Sequence, residues 1–186
     1  MKRFFDITLA SIAILFLMIP LSFLALLVKL TSPGPILYWS SRIGRNDFIF
    51  EMPKFRSMRI DTPEVATHLL TDPTKWLTPV GDFLRKSSLD ELPQLWCIIK
   101  GDMSFVGPRP ALFNQADLIL LRKQAGIHQL RPGLTGLAQV NGRDELLIEE
   151  KVKFDSEYLK LQSFTFDIKI LWITLVNVSK KKGVSH

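Results

Sequence analysis

The sequence is poor in the residues that build disulfides and metal centres. Its 186 residues include one cysteine and three histidines. A single cysteine, Cys97, excludes an intrachain disulfide, and its apolar helical surroundings predict a small buried side chain. The histidines are scattered, and no HExxH or paired-cysteine spacing accompanies them. The chain therefore predicts neither a disulfide scaffold nor a structural zinc site.

The sequence also lacks a recognisable nucleic-acid-binding module. No helix-turn-helix, zinc-finger or ribonucleoprotein pattern accompanies its basic character, a net charge of +6 and a pI near 9.5. Such a charge still predicts an anionic partner. Phosphorylated substrates and lipid headgroups are the remaining classes, and nucleic acid is not expected.

Residues 7–28 lack charged side chains altogether. As a helix this run is long enough to cross a bilayer, and no cleavage site of the small-x-small type follows it. Pro20 near its middle predicts a bend, with Ser22 available to bond a freed carbonyl. Basic residues flank the run on both sides, so the positive-inside rule places both ends in the cytoplasm. The proline and the flanking charges favour a bent, re-entrant helix, whereas a straight spanning helix is the commoner structure for such a run, so both stay open.

The rest of the chain predicts one mainly helical α+β domain. Its length suffices for a single hydrophobic core. Residues 36–50 alternate in a way typical of a short β-hairpin that bends at 44–47, and 61–80 have the composition of an irregular loop. Residues 144–161 predict a charged amphipathic helix. The apolar segment 164–178, followed by three lysines at 180–182, predicts a helix lying in a membrane interface, or else a core helix.

The stretch from 85 to 110 is the richest in chemistry. Asp90 and Glu91 are adjacent, Arg85 and Lys86 precede them, and Arg109 follows between two prolines. Carboxylates among arginines are typical of phosphate handling. The alternative is a helix start, either with Ser88 as the N-cap and Glu91 completing a capping box or with Asp90 itself as the cap. In either case the helix is expected to end near Lys100, at Gly101.

Several motifs in this order resemble the bacterial sugar transferase family, the monotopic phosphoglycosyl transferases. The resemblance covers nearly the whole chain. The matching motifs are Leu89-Asp90-Glu91-Leu92-Pro93-Gln94, Lys100-Gly101-Asp102-Met103-Ser104, Gly107-Pro108-Arg109-Pro110 and Arg131-Pro132-Gly133-Leu134-Thr135-Gly136.

The resemblance implies an enzyme that transfers sugar 1-phosphate from a UDP-sugar to polyprenyl phosphate and releases UMP. It implies Asp90 as the nucleophile of a covalent intermediate and Glu91 as a catalytic residue and the ligand of Mg²⁺. Asp167 matches a family aspartate with a supporting catalytic role. Further residues are expected to bind substrate and phosphate, namely Lys54, Arg56, Arg85, Pro108, Arg109, Pro110, Asn141 and Arg143.

The resemblance also implies an organisation and a location. Residues 1–30 would form the membrane-embedded re-entrant helix, broken at Pro20, and 31–186 a catalytic domain on the membrane interface. The enzyme would be monotopic on the cytoplasmic face of the bacterial inner membrane. Its partners would be the donor, the acceptor and membrane lipid, and a homodimer is left open. Lys2, Arg3 and the lysines at 180–182 are expected to contact anionic headgroups.

Lys54 to Arg59 is a basic run of the kind that usually forms a solvated face.

Two other functions remain open at this stage. An ordinary nucleotide-sugar glycosyltransferase would carry an Asp-x-Asp metal motif, which this chain lacks. A non-catalytic, membrane-anchored module that binds anionic lipid or a partner is the alternative, and it predicts that Asp90 is replaceable.

Overall fold

The computed structural model describes residues 1–63, 72–142 and 145–179. Most of them are helical, with two small sheets, so the predicted mainly helical α+β class is confirmed at that level. The helices are α1 Lys2–Thr31, α2 Gly81–Lys86, α3 Leu95–Lys100, α4 Ala116–Gln124, α5 Leu137–Val140, α6 Ile148–Leu161 and α7 Phe164–Ser179. The strands are β1 Leu37–Ile43, β2 Ile49–Phe55, β3 Ser104–Val106 and β4 Gly133–Thr135.

Helix α1 packs on the rest of the protein at both of its ends. Ala10 belongs to the larger core cluster, with Met52, Ile98 and Met103, whereas Leu24 and Val28 belong to a second cluster. Residues 18–20, in the middle of the helix, are exposed. The helix is long and apolar enough to cross a membrane by length and composition, with a mean hydropathy of 2.7. Both of its ends nevertheless contact one and the same domain.

The N-terminal end of α1 is fixed by its two basic residues. Arg3 donates to the carbonyl oxygens of Ile98 and Ile99 at the end of α3, the latter at 2.6 Å. Lys2 forms an ion pair with Asp167 and donates to the carbonyl oxygen of Val106 at 3.1 Å. The expectation that Lys2 and Arg3 contact lipid headgroups is therefore wrong, because internal acceptors occupy them. The lysines at 180–182 lie outside the described residues.

The C-terminal end of α1 is fixed by Arg56. The buried guanidinium of Arg56 donates to the carbonyl oxygens of Ser32 at 2.8 Å and Pro33 at 2.5 Å. The last carbonyls of a helix have no partners within it and attract cations. Arg56 therefore joins the end of strand β2 to the end of α1.

Pro20 does not interrupt α1. The helix continues on both sides of the proline as one 30-residue element. Ser22 donates its hydroxyl to the carbonyl oxygen of Met18 at 2.8 Å. Pro20 has no N–H to donate to the carbonyl oxygen of Phe16, four residues earlier. The Ser22 hydroxyl therefore bonds a different oxygen from the one that the proline frees. The re-entrant break at Pro20 stays a prediction.

The predicted hairpin forms, and its second strand extends to Phe55. β1 and β2 pair in antiparallel fashion, with Tyr38 opposite Lys54 and Arg42 opposite Phe50. A 3-10 turn at Arg45–Asp47 joins the strands. Because successive residues of a strand face opposite sides, Tyr38, Ser40 and Arg42 share one face of β1. Lys54, opposite Tyr38, lies on that same face and pairs with Glu91. It therefore does not belong to a solvated basic surface.

A two-strand parallel sheet carries the segment with Arg109. Ser104 pairs with Gly133 and Val106 with Thr135. A side chain at Gly136 would collide with the carbonyl oxygen of Gly107, so glycine allows these segments to approach closely. The chain leaves β3 directly into Pro108, whose carbonyl oxygen accepts from the amide of Gly133 at 2.8 Å.

Helix α7 is amphipathic, as its sequence predicts. Asp167 and Ile170 are buried against the domain. Its opposite side exposes large apolar residues at helical spacing: Phe164, Ile168, Trp172, Leu175 and Val178. Cys97 is also buried, as predicted, and burial raises the pKa of its thiol to about 11.

The docking of α1 can be tested with Ala10→Leu. Ala10 is completely buried, so three extra carbons would overpack the core and cost about 1–3 kcal/mol. We expect a lower thermal unfolding midpoint in detergent. The control is Ser11→Leu, which adds an apolar side chain to an exposed position of the same helix. Equal midpoints for the two variants would contradict the docking of α1 through Ala10.

Candidate active site

A 3-10 helix over Leu89–Gln94 carries the two adjacent acids. It begins after Ser88, whose backbone is left-handed at φ 55°, and the Ser88 side chain makes no capping hydrogen bond. The predicted capping box is therefore wrong. The helix that follows ends at Gly101 with φ 104°, as predicted. Adjacent side chains in a 3-10 helix diverge by about 120°, so Asp90 and Glu91 have different surroundings.

Glu91 binds two cations from distant parts of the chain. Its Oε1 lies 2.8 Å from Nζ of Lys54 on β2 and 3.1 Å from a guanidinium nitrogen of Arg109. The side chain of Glu91 is only 13% exposed, so solvent screens these pairs less than it would at the surface. The hairpin, the 3-10 helix and the Pro108–Pro110 segment thus meet at one carboxylate.

Asp90 has the opposite environment. It is 8% exposed, yet none of the described residues donates a hydrogen bond to its carboxylate. Burial raises the pKa of Asp90 to about 6, against the opposing effect of Lys54 and with a contribution from the charge of Glu91. A buried carboxylate without a hydrogen-bonding partner is poorly solvated, which is a property of reactive acids.

Both acids open into the main cavity of the described structure, with a volume of about 760 Å³. That volume suits a ligand of nucleotide-sugar size. Seven of the predicted catalytic and binding residues line it, namely Lys54, Arg56, Arg85, Asp90, Glu91, Arg109 and Pro110.

A buried ion pair supports the position of Arg109. The Arg122 guanidinium of α4 lies 2.6 Å from Oδ2 of Asp155 on α6 and donates to the backbone oxygen of Arg109 at 2.8 Å. Burial raises the pKa of Asp155, while the charge of Arg122 acts in the other direction. The backbone of Arg109 is thus held from one side and its side chain from the other, by Glu91.

Other predicted residues lie away from this cavity. Pro108 lines a small neighbouring pocket. Asn141 follows α5, is exposed, and donates to the carbonyl oxygen of Leu137 at the start of that helix. Asp167 is buried, where it accepts from Tyr158 at 2.7 Å and pairs with Lys2. Its supporting catalytic role stays a prediction, and Arg143 lies outside the described residues.

The cavity also contains residues that the sequence reading missed. Tyr38, Ser40 and Arg42 line it along one face of β1, and the alternation of that strand is the signal that points to them. Gln139 and Arg122 line it as well. No local pattern marks these two, because tertiary packing brings their helices to the cavity.

The described residues contain no group of three or more metal-ligating side chains. A bound Mg²⁺ typically takes one or two carboxylates and completes its shell with water and substrate phosphates. Asp90 and Glu91 supply carboxylates of that kind at the cavity wall. The donor set therefore fits a cation that binds together with its substrate.

The comparisons with known proteins agree with the motifs. The sequence profile of the family described as bacterial sugar transferase matches residues 1–181. The chain belongs to the bacterial sugar transferase family. It is 40% identical to the UDP-glucose:undecaprenyl-phosphate glucose-1-phosphate transferase of Escherichia coli strain K12 over 94% of this chain. It is 39% identical to the exopolysaccharide production protein ExoY of Rhizobium meliloti over 98% of this chain.

These relatives differ in length. This bacterial sugar transferase chain spans 39% of the Escherichia coli protein and 41% of a UDP-galactose-lipid carrier transferase from Erwinia amylovora, to which it is 38% identical over 98% of this chain. It spans 87% of ExoY. The shared part includes the acids, the Lys54 strand and the Arg109 segment.

The environment of Asp90 predicts a stability effect of Asp90→Asn. The folded pKa, about 6, exceeds the ordinary value of 3.8, so ionising Asp90 disfavours the folded state as pH rises through that window. We expect the variant to be more stable than wild type above pH 6, by on the order of 1–3 kcal/mol, and equal to it near pH 4. Thermal unfolding at several pH values measures this difference.

Glu91→Gln is the matched comparison. It weakens the pairs with Lys54 and Arg109, so we expect it to destabilise the protein at pH 7. An Asp90→Asn variant that is less stable than wild type at pH 7 would contradict the assigned environment.

Proposed function

We propose that this chain transfers sugar 1-phosphate from a UDP-sugar to a polyprenyl phosphate, such as undecaprenyl phosphate, and releases UMP. The names of its relatives support the substrates, since they include a UDP-glucose:undecaprenyl-phosphate glucose-1-phosphate transferase and an undecaprenyl-phosphate galactose phosphotransferase. Such a product would begin the assembly of a lipid-linked glycoconjugate.

The observation that carries the proposal is the contrast between the two acids. Glu91 is neutralised by Lys54 and Arg109, whereas Asp90 is buried at the cavity wall with no hydrogen bond from the described residues. A carboxylate that attacks phosphorus must approach an anionic group. Nearby cations lower that electrostatic barrier, and poor solvation keeps the carboxylate reactive.

The reaction then proceeds in two displacements. A carboxylate oxygen of Asp90 attacks the phosphorus that bears the sugar, and the bond from that phosphorus to the bridging oxygen breaks, so UMP leaves with the electron pair. An acyl phosphate links Asp90 to the sugar. An oxygen of polyprenyl phosphate next attacks the same phosphorus, which releases Asp90 as a carboxylate and forms the diphosphate lipid.

Basic residues around the acids stabilise the transferring group. Lys54, Arg85 and Arg109 line the cavity and supply positive charge to phosphoryl oxygens as charge moves from donor to leaving group. We assign Glu91 as the residue that would hold Mg²⁺, with Asp90 alongside. The ion would neutralise diphosphate charge when bound.

We also propose that the protein is monotopic, on the cytoplasmic face of the bacterial inner membrane. Both ends of α1 are bound to one domain, by Arg3 at the start and Arg56 at the end. Two ends held by the same domain lie on the same side of a bilayer. The exposed apolar middle of α1 and the apolar side of α7 would enter the lipid.

Intact-protein mass spectrometry tests the function. Detergent-solubilised protein is incubated with Mg²⁺ and a panel of UDP-sugars, without lipid. We expect wild type to gain the mass of one sugar phosphate and to release UMP, and we expect Asp90→Asn to gain none. The control is Asp82→Asn, an exposed acid paired with Lys86 outside the cavity, which should form the adduct normally.

The outcomes separate the alternatives. UMP release that requires polyprenyl phosphate and persists in Asp90→Asn would show direct transfer without the covalent intermediate. No UMP with any donor and acceptor would favour the non-catalytic binding module. The mass of a wild-type adduct would also identify the sugar class.

Protease protection tests the topology. We expect epitope tags at the N-terminus and the C-terminus to be digested together in inside-out vesicles and to be protected together in right-side-out vesicles. A straight spanning α1 would place the N-terminal tag on the opposite side, and the two tags would then respond in opposite vesicles.

A further inference from the structure

The main cavity runs along strand β1, and its two ends differ in chemistry. Tyr38, Ser40 and Arg42 line it in succession on one face of the strand. Arg42 donates to the carbonyl oxygen of Pro110 at 3.1 Å, so that end of β1 lies beside the Arg109 segment. Leu37 pairs with Phe55 at the other end, next to Arg56 and the exit of α1.

The end beside α1 has an apolar wall formed by Pro35, Leu37, Tyr38, Met58, Ile60 and Pro63. Arg56 and Arg59 line this end as well, but Arg56 donates to the carbonyl oxygens of Ser32 and Pro33, and Arg59 pairs with Asp61. Ile60 is 66% exposed and lies against Gly34, where an added side chain would collide with it. An apolar ligand that covers Ile60 would remove this side chain from water, so such a ligand suits this mouth.

The opposite end carries long polar side chains. Arg42, Gln115, Arg122 and Gln139 line it, together with Leu112 and Leu118. Gln139 is 7% exposed, and neither atom of its side-chain amide has a hydrogen-bond partner among the described residues. A buried amide without partners costs free energy that a polar ligand group would recover.

Asp90 and Glu91 lie between these ends. Glu91 binds Lys54, which pairs across the hairpin with Tyr38, and it binds Arg109, whose segment contacts Arg42. Both transfer steps act on a phosphorus at Asp90, whereas the groups attached to the two phosphates differ. One is a water-soluble nucleoside and sugar, and the other is an isoprenoid chain.

We propose that the isoprenoid chain of the acceptor leaves the active site through the apolar end, past Tyr38, Met58 and Ile60, and joins the membrane beside the exit of α1. The inference rests on the proposed function. The supporting observation is that the cavity mouth adjoins α1, since the turn that follows this helix forms the wall of the mouth. The donor then occupies the polar end, so the two tails do not compete for one path.

Variants of Ile60 test the proposal in both half-reactions. Ile60→Ser removes apolar surface at an exposed position, so folding should be retained. We expect the KM for a long-chain polyprenyl phosphate to rise roughly fivefold to thirtyfold, since burial of an isoleucine side chain is lost. Formation of the sugar-phosphate adduct without lipid should be unchanged, and Ile60→Leu should restore the KM.

Two controls sharpen the measurement. Leu120→Ser removes a comparably exposed aliphatic side chain from α4, outside the cavity, and should leave the KM unchanged. An acceptor with one or two isoprene units should show a smaller effect of Ile60→Ser than the long-chain acceptor. An unchanged long-chain KM, or an equal loss in the donor half-reaction, would overturn the proposal.

A crosslinking readout does not depend on turnover. A polyprenyl phosphate with a diazirine in its first isoprene units is photolysed on the full-length protein in detergent, and the labelled peptides are mapped by mass spectrometry. We expect label in segments 35–38 and 58–60. Label confined to the segments around Gln115 and Gln139 would overturn the proposal. Because crosslinking needs only binding of the acceptor, this result can be distinguished from a failure of the proposed transfer reaction.

Discussion

The pairing of Glu91 with Lys54 and Arg109 is the interaction on which the site depends. It joins a strand, a 3-10 helix and a proline-flanked segment that are far apart in sequence. By holding Lys54 and Arg109, Glu91 keeps their charge near Asp90 without letting either cation bond to Asp90 directly. The nucleophile proposed here is thus surrounded by positive charge and still poorly solvated, a combination that an isolated acid pair in water cannot have.

A second set of interactions relates that site to helix α1. Arg3, in the first turn of α1, binds backbone carbonyls at the end of α3, and Arg56 binds the carbonyls that follow α1. Lys2 joins α1 to Asp167 of α7. The basic residues near α1 therefore serve assembly, whereas large apolar side chains in the middle of α1 and on the outer side of α7 stay exposed. Asp167 belongs to this assembly, because it accepts hydrogen bonds from Lys2 and Tyr158. Both of these side chains also donate to the carbonyl oxygen of Val106, three residues before Arg109.

The same logic explains the neighbouring ion pair. Arg122 and Asp155 are buried, and a buried pair is weak evidence for stability by itself. Here Arg122 also binds the backbone of Arg109. The buried pair therefore also holds the backbone of an arginine that lines the cavity.

Local patterns in the sequence determined several features. The uncharged run predicted the long apolar helix, alternation predicted the hairpin, Gly101 predicted the end of α3, and ordered motifs predicted the family. These features depend on neighbouring residues, whose periodicity and turn chemistry act at short range. Only the tertiary structure decided that Ser88 does not cap, that Lys2 and Arg3 face internal acceptors, and that Asn141 and Asp167 lie away from the cavity. It alone brought Ser40, Arg122 and Gln139 to the cavity, because side-chain partners from distant segments are set by packing, which no local pattern encodes.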